Sequence, residues 1–162
     1  MDKETKKIID KVIYNEGGYN NDHEDLGGET KYGISKRWYP HLHIPSLSLE
    51  EAIKIYHDDY YKPAKVDKLP YKLRYPFFDC VINTGQSRAV KILQEAINVG
   101  SVIPIKVDGK IGPNTIKHAQ GISAERFSAY RIKFYCKLVD AKPEQKKFYY
   151  GWFKRTLETI HG

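Results

Sequence analysis

Ile8-Ile9-Asp10-Lys11-Val12-Ile13-Tyr14-Asn15-Glu16-Gly17-Gly18-Tyr19-Asn20-Asn21-Asp22-His23-Glu24-Asp25-Leu26-Gly27-Gly28-Glu29-Thr30-Lys31-Tyr32-Gly33-Ile34-Ser35 is the stretch on which the reading of this chain turns. Its first part sets Ile8, Ile9, Val12 and Ile13 at i, i+4 and i+5 spacing, the pattern of an amphipathic helix. Gly17-Gly18 supplies both a stop and a turn, so that helix is expected to end near Glu16. From Gly17 to about Leu47 the period disappears, with glycines 17, 18, 27, 28 and 33 set among polar and aromatic residues, Pro40 and Pro45. Such a long loop in a compact domain is usually functional. A short β-hairpin fits Glu29 to Ser35.

Helix signals return beyond the loop. Ser48-Leu49-Glu50-Glu51 is a capping box, opening a helix expected to run to about Tyr61. Helices are expected at roughly 74–84 and 86–99, the second with Ala89, Ile92, Leu93, Ala96 and Ile97 on one stripe. Asp108 to Pro113 reads as a turn, with Pro113 as the first residue of the next helix. Phe127, Tyr130, Phe134 and Leu138 mark another helix, and Phe148, Trp152 and Ile160 a last one after Pro143. The aromatic residues at 127, 130, 134, 148 and 149 are assigned to core packing. The expected class is mainly α, with a long glycine-rich loop or short hairpin after the first helix.

Composition narrows the field. The 162 residues suffice for a sizeable core without staples, and 41% hydrophobic content argues against disorder. No apolar run approaches the roughly 18 residues of a membrane span, and Met1 to Lys7 is charged and leads into no signal-type stretch. Cys80 and Cys136 lack metal-binding spacing and are expected as thiols. Lys+Arg 27 against Asp+Glu 20 leaves +7, which suits an anionic partner: nucleic acid, a membrane surface or a wall polymer.

Several chemistries are excluded by pattern. Glycine-rich phosphate loops are absent, and Gly85-Gln86-Ser87-Arg88-Ala89 misses a nucleophile elbow at its last position. His41-Leu42-His43 lacks the spacing of a zinc helix, and Lys106 and Thr115 stand where a calcium loop requires acids. No metal or cofactor is expected. The lysines and Arg74 between 62 and 74 bracket prolines without any nucleic-acid-binding signature, so they read as a solvated basic face and no nucleic-acid partner is expected.

The block from Glu16 onward differs. A carboxylate at the C-terminal end of an apolar helix meets the negative end of the helix dipole, and partial burial also disfavours its charged form. That is the disposition of a general acid for glycoside cleavage. Asp22 or Asp25, on the polar loop, is suited to stay ionised and to steer a water or stabilise oxocarbenium-like charge. The alternative leaves Glu16 a solvated helix end and the aspartates turn formers.

Glu-Gly-Gly-Tyr at 16–19, Asn21-Asp22, Gly27-Gly28-Glu29-Thr30 and Tyr32-Gly33-Ile34-Ser35 together resemble the signature of glycoside hydrolase family 108, lysozyme-like N-acetylmuramidases that include phage endolysins. Phe78-Asp79 with Asn83 and Gly85 resembles a helix end of that family. Leu93-Gln94-Glu95-Ala96, Asp108-Gly109-Lys110-Ile111-Gly112 and Gly151 to Arg155 resemble its C-terminal peptidoglycan-binding portion. The resemblance implies a lysozyme-like fold, with a catalytic region over 1–90 and a helical peptidoglycan-binding region over 91–162 packed on it as one unit. It implies Glu16 as general acid, Asp25 (or its competitor Asp22) as second carboxylate, and Thr30 as holder of a water. Tyr19, Tyr32 and Trp38 are assigned to substrate, since sugar rings stack on aromatic faces. Bacterial peptidoglycan is the expected partner, of a monomer without membrane association. Synthesis in the cytoplasm without a signal peptide, followed by action on the wall, is the expected route. The alternative is a non-catalytic peptidoglycan-binding or secretion-related regulatory protein on the same fold.

Overall fold

The computed structural model describes residues 1–17 and 29–161. The chain forms two compact units, Met1–Pro63 and Ala64–Gly162. No helix among the described residues is long and apolar enough to cross a membrane.

The first unit opens with α1 (Lys3–Glu16), which buries Thr5, Ile8, Ile9, Val12 and Ile13 along one face. Its start is fixed by Asp2, whose Oδ1 accepts the Thr5 amide at 2.8 Å. The hydrogen bonds Asp2 accepts hold its carboxyl below the usual carboxylate range. The expected hairpin is present: β1 (Thr30–Lys31) pairs antiparallel with β2 (Ile34–Ser35), with Thr30 opposite Ser35 and Lys31 opposite Ile34. A 3-10 turn, Ile44–Ser46, leads to α2 (Leu49–Ile55). The capping box is complete: Ser48 Oγ accepts the Glu51 amide, and Glu51 Oε2 accepts the Ser48 amide at 2.8 Å.

After α2 the chain changes pitch. Tyr56–Tyr61 is π-helical, with the Lys62 amide donating to the His57 carbonyl at 3.0 Å. In an α-helix, residues five apart point about 140° away from each other. The wider turn brings them onto one face. Tyr56 and Tyr61 are accordingly both buried.

The second unit is built on α3 (Tyr71–Thr84), α4 (Gln86–Asn98) and α6 (Ala124–Ala141), with α5 (Pro113–Ala119) against α4 and α7 (Tyr149–Glu158) against α6. α3 begins at Tyr71, directly after Pro70 and earlier than its sequence pattern suggests. Leu73, Phe77, Phe78, Val90, Leu93 and Phe127 are fully buried between the three central helices, with the Phe77 and Phe127 rings edge to face at 5.9 Å.

A carboxylate lies inside this core. Asp79 is fully buried, and its oxygens meet Arg131 Nη1 at 2.7 Å and Arg155 Nη2 at 2.8 Å. Arg155 Nε also donates to both oxygens, at 2.9 and 3.1 Å. Arg131 Nε donates to Tyr135 Oη at 3.0 Å, and that hydroxyl donates to Asn83 Oδ1 at 2.6 Å. Three helices, α3, α6 and α7, are thereby tied through one acidic side chain.

A second polar tie holds the loop before α5. Gln94, buried on α4, donates from Nε2 to Asp108 Oδ1 at 2.9 Å, and its Oε1 accepts the amides of Asp108 and Gly109. The Leu93-Gln94-Glu95-Ala96 and Asp108-Gly109 motifs are therefore two halves of one hydrogen-bonded unit. Asp108 is a turn carboxylate, as expected.

The expected core aromatics need correction. On α6 the buried line is Phe127, Arg131, Tyr135 and Val139; Tyr130, Phe134 and Leu138 lie beside it, half-buried. Phe148 is exposed and Tyr149 half-buried, and Ile160 falls beyond the end of α7. The reason is the Asp79 network, which draws an arginine onto the face that a hydropathy pattern reserves for apolar residues. Both cysteines are thiols; Cys80 is buried, and desolvation raises its pKa, while Cys136 is half-buried.

Removing one partner of a buried ion pair leaves uncompensated charge, typically at about 3–5 kcal/mol. Asp79→Ala is expected to lose that much in urea unfolding at neutral pH. Lys6→Ala, which removes the exposed pair with Asp10, should shift the midpoint little. Equal effects from both variants would contradict the assignment of Asp79 as the tie between helices.

Candidate active site

Glu16 is the last residue of α1 and lies three, four and seven positions after Ile13, Val12 and Ile9. It therefore continues the buried stripe of the helix at its open end. Glu16 is half-buried, and no basic residue stands in the last turn of α1. The next residue, Gly17, has φ +86° and ψ −175°, a backbone combination that side-chain-bearing residues rarely adopt. The chain leaves the helix sharply after the carboxylate.

The hairpin returns to this point. At its turn, Tyr32 and Gly33 both take left-handed backbone conformations, φ +55° and +76°. The turn lies so close to Glu16 that a Cβ added at Gly33 would stand 2.5 Å from Tyr56 Oη, 3.0 Å from Glu16 Cβ and 3.2 Å from Glu16 Cγ. Tyr56 Oη donates to the Tyr32 carbonyl at 2.9 Å. The end of α1 and the π-helical segment thus both meet the hairpin turn at Tyr32 and Gly33. π-helical turns are frequent at functional sites for this kind of repositioning.

Thr30 is half-buried on β1 opposite Ser35, on the strand leading into the turn. Lys31 anchors the hairpin by donating from Nζ to the Pro45 carbonyl at 2.8 Å. Trp38 is 74% exposed, with the Arg37 guanidinium 5.8 Å from its ring centre. Tyr39 is engaged inside the unit: its hydroxyl donates to Asp59 Oδ2 at 2.9 Å, and burial with Tyr60 and Asp59 beside it raises its pKa far above the ordinary tyrosine range. Tyr19, Asp22 and Asp25 lie outside the described residues.

A groove of about 470 Å³ adjoins the convergence point, lined by Lys6, Asp10, Ile13, Tyr14, Gly17, Tyr32 and Leu49. Of the residues assigned to substrate from the sequence, Tyr32 lines it and Trp38 does not. Tyr14 and Tyr56 were not legible as site residues. Tyr14 had one signal, a large aromatic off the apolar stripe of α1; Tyr56 had none, because its position depends on the π-helical turn. Among the described residues, no group of three or more His, Cys, Asp or Glu is placed to hold a metal ion.

The model of the family described as Glycosyl hydrolase 108 matches residues 9–85, and that described as Predicted Peptidoglycan domain matches 88–157. Residues 9–85 are thus a glycosyl hydrolase 108 segment. The chain is a glycoside hydrolase with a lysozyme-like, mainly α fold, and peptidoglycan is its substrate. The structure of Brucella abortus SagA is similar over 97% of this chain and 91% of that one, with a TM-score of 0.76 at 25% identity. No curated protein matches the chain by sequence. In this glycoside hydrolase the family segment 9–85 contains Glu16, the hairpin and the groove. The boundary between the two matched segments falls between α3 and α4.

Gly33→Ala combines left-handed backbone strain with an approach to Tyr56 and Glu16. Gly100, at φ +74°, has only Arg126 Nη2 nearby, at 3.8 Å from an added Cβ. Strain at such positions costs about 1–3 kcal/mol. Gly100→Ala should show that stability loss with activity retained, whereas Gly33→Ala should lose more stability and most peptidoglycan hydrolysis. Retained activity in Gly33→Ala would separate the hairpin turn from the site.

Proposed function

We propose that this peptidoglycan hydrolase is a muramidase that cleaves the β-1,4 bond between N-acetylmuramic acid and N-acetylglucosamine, with Glu16 as general acid. The observation that carries this reading is the position of Glu16. It is a half-buried side chain at the end of the α1 stripe, against the Gly33 turn that Tyr56 backs, and the next residue, Gly17, lines an open groove. The Glu16 carboxyl proton passes to the glycosidic oxygen as the bond from the anomeric carbon breaks. Water adds to that carbon, and Asp25, or Asp22, takes its proton, with Thr30 orienting the water. The separation of the two carboxylates sets the stereochemical course, roughly 6.5–9.5 Å for inversion and about 5–5.5 Å for retention. The family and the +7 charge support a phage or prophage endolysin that is drawn to an anionic wall, with an attraction that weakens as salt rises.

General acid catalysis typically contributes about 10²–10⁴-fold. Glu16→Gln is expected to reduce release of reducing ends from purified sacculi by that factor while still pelleting with them. Mass spectrometry of the wild-type digest should show muramic acid at the new reducing ends. Glucosamine ends would overturn the choice of bond, and a fully active Glu16→Gln would overturn the role of Glu16.

A further inference from the structure

We propose that Tyr14 and Tyr32 form a sugar-stacking subsite next to Glu16 that holds a saccharide flanking the cleaved bond, a proposal that rests on Glu16 being the general acid. Tyr14 is 86% exposed although it sits on a helix whose other large apolar residues are buried. Exposed apolar residues scattered singly need no explanation. Tyr14 is not single: it lines the groove of about 470 Å³ with Tyr32, Ile13 and Leu49, and Leu49 is itself 45% exposed. That volume falls within the roughly 300–1,000 Å³ typical of small-molecule sites.

The lining matches the amphipathic character of a pyranose ring. A sugar presents C–H groups on its faces and hydroxyl or acetamido groups at its rim. Tyr14 and Tyr32 supply aromatic surface for a face. The Lys6–Asp10 pair, joined at 2.7 Å and partly exposed, supplies a donor and an acceptor for the rim. Continuity with the cleavage point comes from the backbone, because Gly17 directly follows Glu16, and Tyr32 directly precedes Gly33, which packs on Glu16. The groove is therefore lined by the residues that flank the Glu16–Gly33 contact in the chain. The favoured occupant is the glycan chain, since stacking needs no charge and the two ions among the described lining residues, Lys6 and Asp10, already pair with each other.

The test uses the full chain and soluble glycan strands stripped of their peptides. Aromatic contacts of this kind are worth about 0.5–1.5 kcal/mol, which corresponds to roughly 2- to 12-fold in affinity. Tyr14→Ala is expected to raise KM by that factor with kcat within twofold, and Tyr14→Phe to restore the wild-type value. Tyr150→Ala removes a comparably exposed tyrosine, at 79%, and should change nothing. In a Glu16→Gln background, Tyr14→Ala should weaken calorimetric binding of the same strands by the same factor. An unchanged KM in Tyr14→Ala, or competition by free stem peptide that Tyr14→Ala abolishes, would overturn the subsite. If the wild type leaves the strands uncut, the muramidase reading fails, and the calorimetric arm alone decides whether Tyr14 binds sugar.

Discussion

The burial of one carboxylate, Asp79, constrains the second unit more than any other interaction in it. An ionised carboxylate out of water is tolerated only with matched charge and filled hydrogen-bonding positions. Arg131 from α6 and Arg155 from α7 supply the charge, and Arg155 contributes two further N–H contacts through Nε. The requirement runs in both directions, because Arg131 is itself fully buried, with Nε donating to Tyr135 and both Nη atoms making no hydrogen bond among the described residues, so the charge of Asp79 is what it has. Sliding α3 by a turn would leave three charges without mates. Apolar packing of Phe77 on Phe127 has no such directional penalty, so the register of α3 against α6 is set by the charges. Buried polar groups often serve specificity in this way and add little net stability.

The same network has a bearing on how the two family segments relate. α3 closes the segment 9–85, while α6 and α7 belong to the segment 88–157. Yet α3 is packed wholly within the compact unit Ala64–Gly162. A cut between 85 and 88 would leave Asp79 on one piece and both of its arginines on the other. The sequence segments are therefore not separable folding units at that boundary. Gln94 plays the corresponding local part within the second segment, turning two short motifs into one loop anchor.

Much of this architecture was legible in the sequence, for reasons that mark where such reading ends. The end of α1, the hairpin, the capping box at Ser48 and the start of α5 at Pro113 depend on breakers and caps acting within a few residues. The place of Glu16 at the end of the apolar stripe was legible because its position relative to Ile9, Val12 and Ile13 is a local matter of helix period. The buried face of α6 was not, since Arg131 reads as surface until Asp79, far away in the chain, is seen beside it. Tyr56 and Tyr61 escaped for a different reason: five-residue spacing places them on one face only when the backbone abandons α geometry, and nothing in their identity announces that. The approach of Gly33 to Glu16 escaped as well. A glycine in a hairpin turn has a sufficient local explanation, which hides the second reason for its presence.

That second reason bears on the chemistry. A general acid must be held at a fixed height against the bond it protonates, and a glutamate side chain has three rotatable bonds. Helix α1 fixes only the backbone of Glu16. The Gly33 turn lies against its Cβ and Cγ, and Tyr56, bonded to the Tyr32 carbonyl, backs that turn. A side chain at position 33 would meet Tyr56 Oη and the Glu16 side chain and crowd the turn away from them. The glycine is therefore a positioning element for the carboxyl group, and the π-helical turn that delivers Tyr56 belongs to the same support.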